Sequence, residues 1–155
     1  MIDDVGLKIL KILQEKARIP NVEVARQVGM APSAVLERIR KLESQGYIDG
    51  YEVRLNPLRF RCQLVAFVWV EIESAADPDA AGAELSAVDE VQEVHYVSGR
   101  DGFLLKVRTS DPTQLDRILR RRIRRVPGVG SITTHIALTT HKETARIPIR
   151  DPGPS

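Results

Sequence analysis

Residues 32–46 read PSAVLERIRKLESQG, and they describe one complete helix with both of its ends. Pro32 suits the first helical turn, where its missing N–H costs nothing, and Gly46 suits the position just beyond the last turn. Apolar side chains recur at helical spacing at Val35, Ile39 and Leu42. The opposite side carries Ser33, Glu37, Arg40 and Lys41. The pattern predicts an amphipathic helix over residues 32–45, with one buried face and one polar face.

Two shorter helical patterns precede this helix. Residues 4–15 place apolar side chains on one face, and Asp3 is the predicted N-cap. Residues 22–28 form the second pattern, for which Asn21 is the predicted N-cap and Gly29 the stop. The two N-terminal patterns and the amphipathic helix therefore predict three helices in succession.

The stretch that follows the third helix has no strong helical pattern. Residues 46–57 read GYIDGYEVRLNP, and glycine and proline break them into short extended pieces, which favours a small wing. Three short helices and a wing predict a winged helix-turn-helix, a fold whose second helix of the pair enters the major groove of DNA. We expect this domain to cover residues 1–50, with a wing and hinge linker over residues 51–61.

The second half of the chain alternates strands and helices. The predicted strands cover residues 62–73, 91–98, 103–109 and 131–140, and the predicted helices lie at residues 78–88 and from Pro112 to the Pro127-Gly128 pair. This β-α-β-β-α-β order predicts an α+β fold, with a ferredoxin-like domain over residues 62–141. Residues 142–155 show no periodicity, and we expect a loosely attached extension.

The first predicted strand is apolar on both faces. One set of alternating positions holds Leu64, Ala66, Val68 and Val70, and the other holds Val65, Phe67 and Trp69. Both crossover helices cover the same face of a ferredoxin-like sheet, so the other face needs a partner. The sequence therefore predicts a homodimer with the two sheets packed face to face.

Composition and motifs disfavour several other classes. The net charge of +2 gives no evidence for nucleic acid binding unless the charges cluster, and Cys62 is the single cysteine. His95, His135 and His141 lack metal-ligand spacing, so we expect no metal site, no catalytic residue and no cofactor. The longest apolar run is too short to cross a bilayer, and the N-terminus does not resemble a signal peptide, so we expect a cytoplasmic protein.

The polar face of the third helix is the predicted DNA contact. Short side chains near its N-terminal end suit base edges, and the basic residues suit phosphates. The base-edge candidates are Ser33, Ala34 and Glu37, and the phosphate candidates are Arg38, Arg40 and Lys41. Asn21, at the start of the second helix, is a further candidate. From the spacing alone, the alternative is an ordinary helix whose charged residues face solvent.

Four segments resemble the Lrp/AsnC family, the leucine-responsive or "feast-famine" transcription regulators. They are NVEVARQVG, SAVLERIRKLESQGYIDGY, EVHYVSGRDGFLLKV and VPGV, and the likeness covers roughly residues 2–142. The resemblance implies a sequence-specific regulator of double-stranded DNA whose C-terminal domain forms dimers that assemble into tetramers or octamers. It also implies a small-molecule effector such as an amino acid, and two recognition helices that meet half-sites about 34–36 Å apart.

The same resemblance implies an effector site at the turn between the second and third strands. The candidates are Ser98, Gly99, Arg100, Asp101 and Gly102, with Thr133 and His135 as a polar wall. Gly99 would offer a backbone N–H to a carboxylate, and Asp101 would pair with an ammonium group. A tight hairpin turn that binds nothing explains the same residues equally well.

Residues 117–125 contain six arginines. Leu115, Ile118, Leu119, Ile123 and Val126 form an apolar stripe on the same predicted helix, so the arginines cover its solvated side. Two uses remain open, either phosphate contacts or pairing with acidic residues of a neighbouring dimer.

Two alternative functions share this architecture. A sirohaem-decarboxylase-like enzyme resembles it, but such enzymes tend to carry a longer, basic, histidine-bearing insert near the hairpin, where this chain has only SGRDG. The other alternative is a ligand-binding module that lacks specific DNA binding.

Overall fold

A computed structural model describes residues 2–149, which fall into two compact units. The first unit runs to Arg54 and includes the segment from Glu143 onward, and the second is Leu55–Lys142. The regular elements before residue 61 are helices, and all four strands lie after it, so the α+β fold class is confirmed.

The first unit is built on three helices, α1 (Asp4–Glu15), α2 (Asn21–Val28) and α3 (Pro32–Ser44). Their apolar faces meet in one cluster, in which the buried members are Ile9, Leu13, Val24, Ala25, Val35, Ile39 and Leu42. The apolar side of α3 predicted from its spacing is therefore the side that faces this core.

The ends of these helices agree with the sequence in two cases and differ in one. Asp3 caps α1 by accepting a hydrogen bond from the Gly6 amide at 2.8 Å, and Gly29 ends α2 with φ at 70°, as predicted. The prediction that Asn21 caps α2 is wrong. Pro20 is the N-cap residue and gives no side-chain hydrogen bond, because extended backbone at Pro20 lets Asn21 enter the helix as its first residue.

The segment between α3 and residue 57 forms no strand in the described part of the chain. The predicted wing therefore contains no paired strand in a single chain. Tyr51 ties it to α3 by donating a hydrogen bond to Glu43 Oε1 at 2.9 Å. Burial and then the Glu43 carboxylate raise the pKa of Tyr51 to about 12.

The C-terminal segment differs from the expected loose extension. Gln14 of α1 donates to the Ile147 carbonyl at 2.8 Å and accepts from the Ile147 N–H at 3.0 Å. Arg146 also donates to the Glu15 carbonyl at 3.3 Å. An amide side chain that pairs both backbone groups of one residue holds this segment to α1. The remainder of the predicted extension, residues 150–155, lies outside the described residues.

The second unit is a four-stranded antiparallel sheet with two α-helices. Its elements are a 3₁₀ turn (Pro57–Phe60), β1 (Leu64–Ile72), α4 (Pro78–Ser86), β2 (Val91–Tyr96), β3 (Gly102–Thr109), α5 (Pro112–Arg121), a 3₁₀ turn (Ile123–Arg125) and β4 (Val129–Ile136). The strand order β2-β3-β1-β4 is that of a ferredoxin-like sheet. The core contains Val68, Leu85, Leu105, Leu115 and Ile118, so α4 and α5 pack on one face.

The arginine-rich helix is shorter than predicted. The α-helix ends at Arg121, and a separate 3₁₀ turn follows from Ile123 to Arg125. Ile123 and Val126 remain buried, so the tighter turn keeps the apolar stripe on the core side while the helix ends.

Candidate DNA-reading and effector-binding sites

The helix-turn-helix is formed by α2, a three-residue turn and α3. Gly29 takes the left-handed conformation, and the Met30 N–H donates to the Ala25 carbonyl at 3.0 Å. This closes the end of α2 and redirects the chain so that α3 starts at Pro32. Val24 and Val35 are both fully buried, which fixes α3 against α2.

The outer face of α3 presents a short row of exposed polar side chains. Ser33, Glu37, Arg40 and Lys41 are exposed, and Ala34 is half-buried. The side chains of Arg40 and Lys41 make no hydrogen bond or ion pair with any of residues 2–149. The sequence-predicted polar face is thus brought together on one side of α3, with two cations available to an external anion.

Arg38 lies at the margin of this face, and its side chain is paired with a residue of the same unit. Its Nη1 donates to both carboxylate oxygens of Asp3, at 2.8 and 2.7 Å. The Gly6 amide and then Arg38 lower the pKa of Asp3 below its usual value of 3.8. Arg38 therefore fastens α3 to the N-cap of α1, a contact that sequence reasoning missed because the two residues are 35 positions apart.

Asn21 is half-buried at the first position of α2. Its amide has no hydrogen-bond partner among the described residues, in contrast to Glu23 two positions later. Glu23 accepts hydrogen bonds from Arg26 and Gln27, and they lower its pKa to about 2. The start of α2 therefore has the ion pair of Glu23 with Arg26 and, at Asn21, a side-chain amide that is not hydrogen-bonded within the described residues.

The turn between β2 and β3 forms the second candidate site. Ser98, Gly99, Arg100 and Asp101 are exposed, and Gly99 has φ at 101°, a conformation that favours glycine. The Asp101 carboxylate accepts a hydrogen bond from the Tyr96 hydroxyl at 3.3 Å. Burial, followed by Asp101, raises the pKa of Tyr96.

Gly102 differs from its neighbours in the turn because it is buried at the start of β3. A Cβ on this residue would stand 2.3 Å from the Val70 carbonyl oxygen and 3.1 Å from Trp69 Cζ2. The glycine is needed for the close approach of β3 to β1, and so it sets the position of the turn residues relative to β1.

Arg100 connects the turn to the sheet face that the helices leave open. Its guanidinium forms an ion pair with Glu71, and its Cζ lies 5.8 Å from the ring centroid of Trp69. Glu71 also accepts a hydrogen bond from the Ser131 hydroxyl. The indole N–H of Trp69 is buried and has no partner within residues 2–149. Sequence reasoning missed Glu71 and Ser131, although Glu71 continues the alternating set of β1 that contains Trp69.

The two candidates from β4 lie on the same open face. Thr133 is directly opposite Trp69 in the sheet register, and His135 is opposite Phe67. Both side chains are exposed. The structure therefore brings Thr133 beside the Arg100 and Trp69 pair and leaves His135 two residues further along the strand.

The described residues contain neither a metal-binding cluster nor a membrane-spanning helix. Residues 2–149 contain no group of three or more histidine, cysteine, aspartate or glutamate side chains placed to hold a metal ion. None of their helices combines the length and apolar character needed to span a membrane.

The two units match two family models. Residues 2–49 match a winged helix-turn-helix DNA-binding domain, and residues 65–147 match the Lrp/AsnC ligand-binding domain. A chain that joins these two domains is a transcription regulator with a ligand-binding part.

Relatives agree with both matches. The leucine-responsive regulatory protein of Salmonella typhimurium is 36% identical over 96% of this chain and 92% of its own length. The protein of the same name from Escherichia coli K12 is 37% identical with the same coverage. The chain belongs to the Lrp/AsnC family of transcription regulators.

Solved structures share the whole fold. A transcriptional regulator of Neisseria meningitidis in complex with L-Met has a TM-score of 0.90 and 28% identity, covering 96% of this chain and 97% of that one. A feast or famine regulatory protein of Mycobacterium tuberculosis complexed with L-methionine has a TM-score of 0.88 and 32% identity, covering 97% and 100%. AsnC of Escherichia coli has a TM-score of 0.86 and 28% identity, covering 96% and 99%.

Proposed function

We propose that this regulator reads specific DNA sequences with the outer face of α3, and that an amino acid changes this activity by binding beside the turn between β2 and β3. The observation that carries the proposal is the exposed row on α3, in which the side chains of Arg40 and Lys41 have no partner within the described chain. The action is binding alone, without a catalytic step, and takes place in the cytoplasm, because the proposed partner is chromosomal DNA.

The proposed DNA contacts divide by chemistry. Ser33, Ala34 and Glu37 lie toward the start of α3 and would face base edges, where a carboxylate accepts a hydrogen bond from cytosine N4. Arg40 and Lys41 would contact phosphates. Asn21 has an uncommitted amide and would contact a phosphate at the start of α2. Arg38 contributes mainly by holding α3 in place through Asp3.

The proposed dimer uses the sheet face opposite α4 and α5. Phe67 is 40% exposed there, and the Trp69 indole N–H lacks an acceptor among the described residues. Two such faces packed together would bury apolar surface that a single chain leaves open. A two-fold dimer presents two α3 helices, as a two-fold operator requires, and we propose that such dimers assemble further into tetramers or octamers.

The proposed effector site has groups that match both ends of an amino acid. Arg100 and the backbone N–H groups around Gly99 suit the carboxylate, and Asp101 suits the ammonium group. Thr133 and Trp69 would supply the neighbouring wall, with His135 further along the same strand. The bound L-methionine of two similar proteins makes it the first amino acid to test.

The DNA proposal is tested by selecting a binding duplex from a random pool and measuring its affinity for variants of the full chain. We expect Arg40→Ala and Lys41→Ala each to weaken binding and to reduce the slope of log affinity against log salt by about 1, the contribution of one phosphate contact. Lys8→Ala is the matched control, because Lys8 is an exposed cation on α1. If the control and the α3 variants behave alike, the assignment of the reading helix is wrong.

The effector proposal is tested with the single tryptophan of the chain, Trp69. Because Arg100 lies against its ring, an amino acid that engages Arg100 should change the fluorescence of Trp69 in a saturable way. Asp101→Asn should raise the dissociation constant for L-methionine at least tenfold. Asp89→Asn should leave the dissociation constant unchanged, because Asp89 lies outside the turn. A signal that saturates equally in all three proteins would place the effector elsewhere.

A further inference from the structure

The second unit separates its charges between its two helices. Residues 62–99 contain no lysine or arginine, whereas the six arginines of residues 117–125 lie on α5 and the 3₁₀ turn after it. Around α4 the exposed or half-buried acidic residues are Asp77, Asp79, Glu84, Asp89 and Glu90. One side of the helix layer is therefore acidic and the other is basic.

Few of these charges are neutralised within the chain. Among the six exposed arginines, Arg120 pairs with Asp116 at 2.6 Å, and Arg117 adds a small contribution to the lowered pKa of Asp111, after the Ser110 hydroxyl and the Gln114 amide. The other four have no ion pair with any of residues 2–149, and the same holds for the acidic side chains around α4. The helix layer thus presents two uncompensated surfaces of opposite sign.

The buried residues of both helices fix which way these charges point. Ala81 and Leu85 hold α4 on the sheet, and Leu115 and Ile118 do the same for α5. Both helices pack on one face of the sheet, so both charged surfaces lie on the outer side of a single layer.

We propose that the helix layers of two copies pack against each other, with the acidic surface of α4 in one copy facing the arginines of α5 in the other. A two-fold axis that runs along the helices places α4 of each copy opposite α5 of its neighbour, so the same contact forms twice. Because all six cations are arginines, each planar guanidinium can bind a carboxylate through two hydrogen bonds. This interface is additional to the sheet-to-sheet dimer proposed above.

A groove beside α5 offers a place for such a carboxylate. It has a volume of about 470 Å³ and opens between α5 and β4, and its polar lining residues are Asp116, Arg120, Arg124 and Thr134. Leu119 and Ile132 supply apolar contacts in the same groove. Asp116 already pairs with Arg120 there, so Arg124 and the Thr134 hydroxyl are the groups that could receive the end of a glutamate or aspartate side chain from a second copy.

A second copy of the chain is complementary in charge to both the acidic and the basic surface, and a DNA duplex is complementary only to the basic one. Phosphates would be attracted to the arginines and repelled by the acidic residues around α4 in the same layer. A second copy matches the acidic and basic surfaces together. The contact between exposed charges should weaken with salt, because the Debye length is about 8 Å at physiological ionic strength and about 3 Å at 1 M.

The test is a charge swap read out by sedimentation velocity of the full chain, without DNA or effector. The basic reversal is Arg121→Glu with Arg124→Glu and Arg125→Glu, and the acidic reversal is Asp79→Arg with Glu84→Arg. We expect each reversal alone to reduce the mass of the assembly to that of the next smaller oligomer. High salt should have the same effect on the wild-type chain. Combining both reversals in one chain, or mixing the two variant proteins, should restore the larger assembly.

Two results would overturn the interface. One is an assembly that keeps its mass in both single reversals and in 0.5–1 M salt. The other is a basic reversal that lowers DNA affinity without changing the mass, which would assign the arginines to phosphates. Circular dichroism of each variant monitors folding, and the salt titration of the unaltered chain tests the same contact without any substitution. Because the sedimentation measurement contains no DNA, failure of the α3 proposal leaves its result unaffected.

Discussion

Replacing Gly102 with alanine tests the packing that shapes the proposed effector site. The added Cβ would stand 2.3 Å from the Val70 carbonyl oxygen, more than 1 Å inside an ordinary contact, and 3.1 Å from Trp69 Cζ2. The obstruction is the backbone of the adjacent strand, so no side-chain rotation relieves it, and β1 and β3 must separate. We expect Gly102→Ala to lower the free energy of unfolding by about 2 kcal/mol, within the 1–3 kcal/mol range typical of overpacking.

Thermal unfolding followed by circular dichroism measures this loss. For a unit of this size, about 2 kcal/mol corresponds to a drop in Tm of roughly 8–16 °C. Gly130→Ala is the matched control in the same sheet, because its Cβ would meet the nearest atom, the Glu71 carbonyl oxygen, at 3.5 Å, which is an ordinary contact. We expect the control to change stability by less than about 0.5 kcal/mol. Equal Tm values for the two variants would refute the argument from close approach.

Three further predictions concern the first unit. Because the folded pKa of Asp3 is lowered, the stability it contributes is present above its ordinary value of 3.8 and is lost as pH falls through the lowered value. Urea unfolding of wild type and Asp3→Asn should therefore differ at pH 6 and converge toward pH 2, and a constant difference would contradict this. Gln14→Ala removes both hydrogen bonds to Ile147, so amide exchange at Ile147 should accelerate at least tenfold while the α1 amides exchange as before. Glu37→Gln should change the preferred base at one operator position, measured by repeating the selection from random duplexes, and an unchanged preference would remove Glu37 from the reading face.

The local parts of the fold could be predicted from the sequence. Pro32, Gly29 and the spacing of Val35, Ile39 and Leu42 specify α3 and the turn before it through interactions within a few residues. The βαββαβ order followed in the same way from alternation and turn residues, and the structure and family matches bear it out.

The features that could not be predicted depend on residues far apart in the chain. The ion pair of Arg38 with Asp3 spans 35 positions, and the hydrogen bonds of Gln14 with Ile147 span 133. The Glu71 contact with Ser131 needs the register of β1 against β4, which no local pattern contains. Asn21 was assigned as a cap because its residue type suits one, and the backbone of Pro20 shifted the helix start by one residue.

The central claim is that the outer face of α3 distinguishes one DNA sequence from another. Fluorescence anisotropy at about 150 mM salt, with the best duplex from the random pool and a scrambled duplex of equal length, measures this directly. We predict that the selected duplex binds at least about 10³-fold more tightly, the lower end of the range for specific DNA-binding proteins. Equal dissociation constants for the two duplexes would contradict the claim.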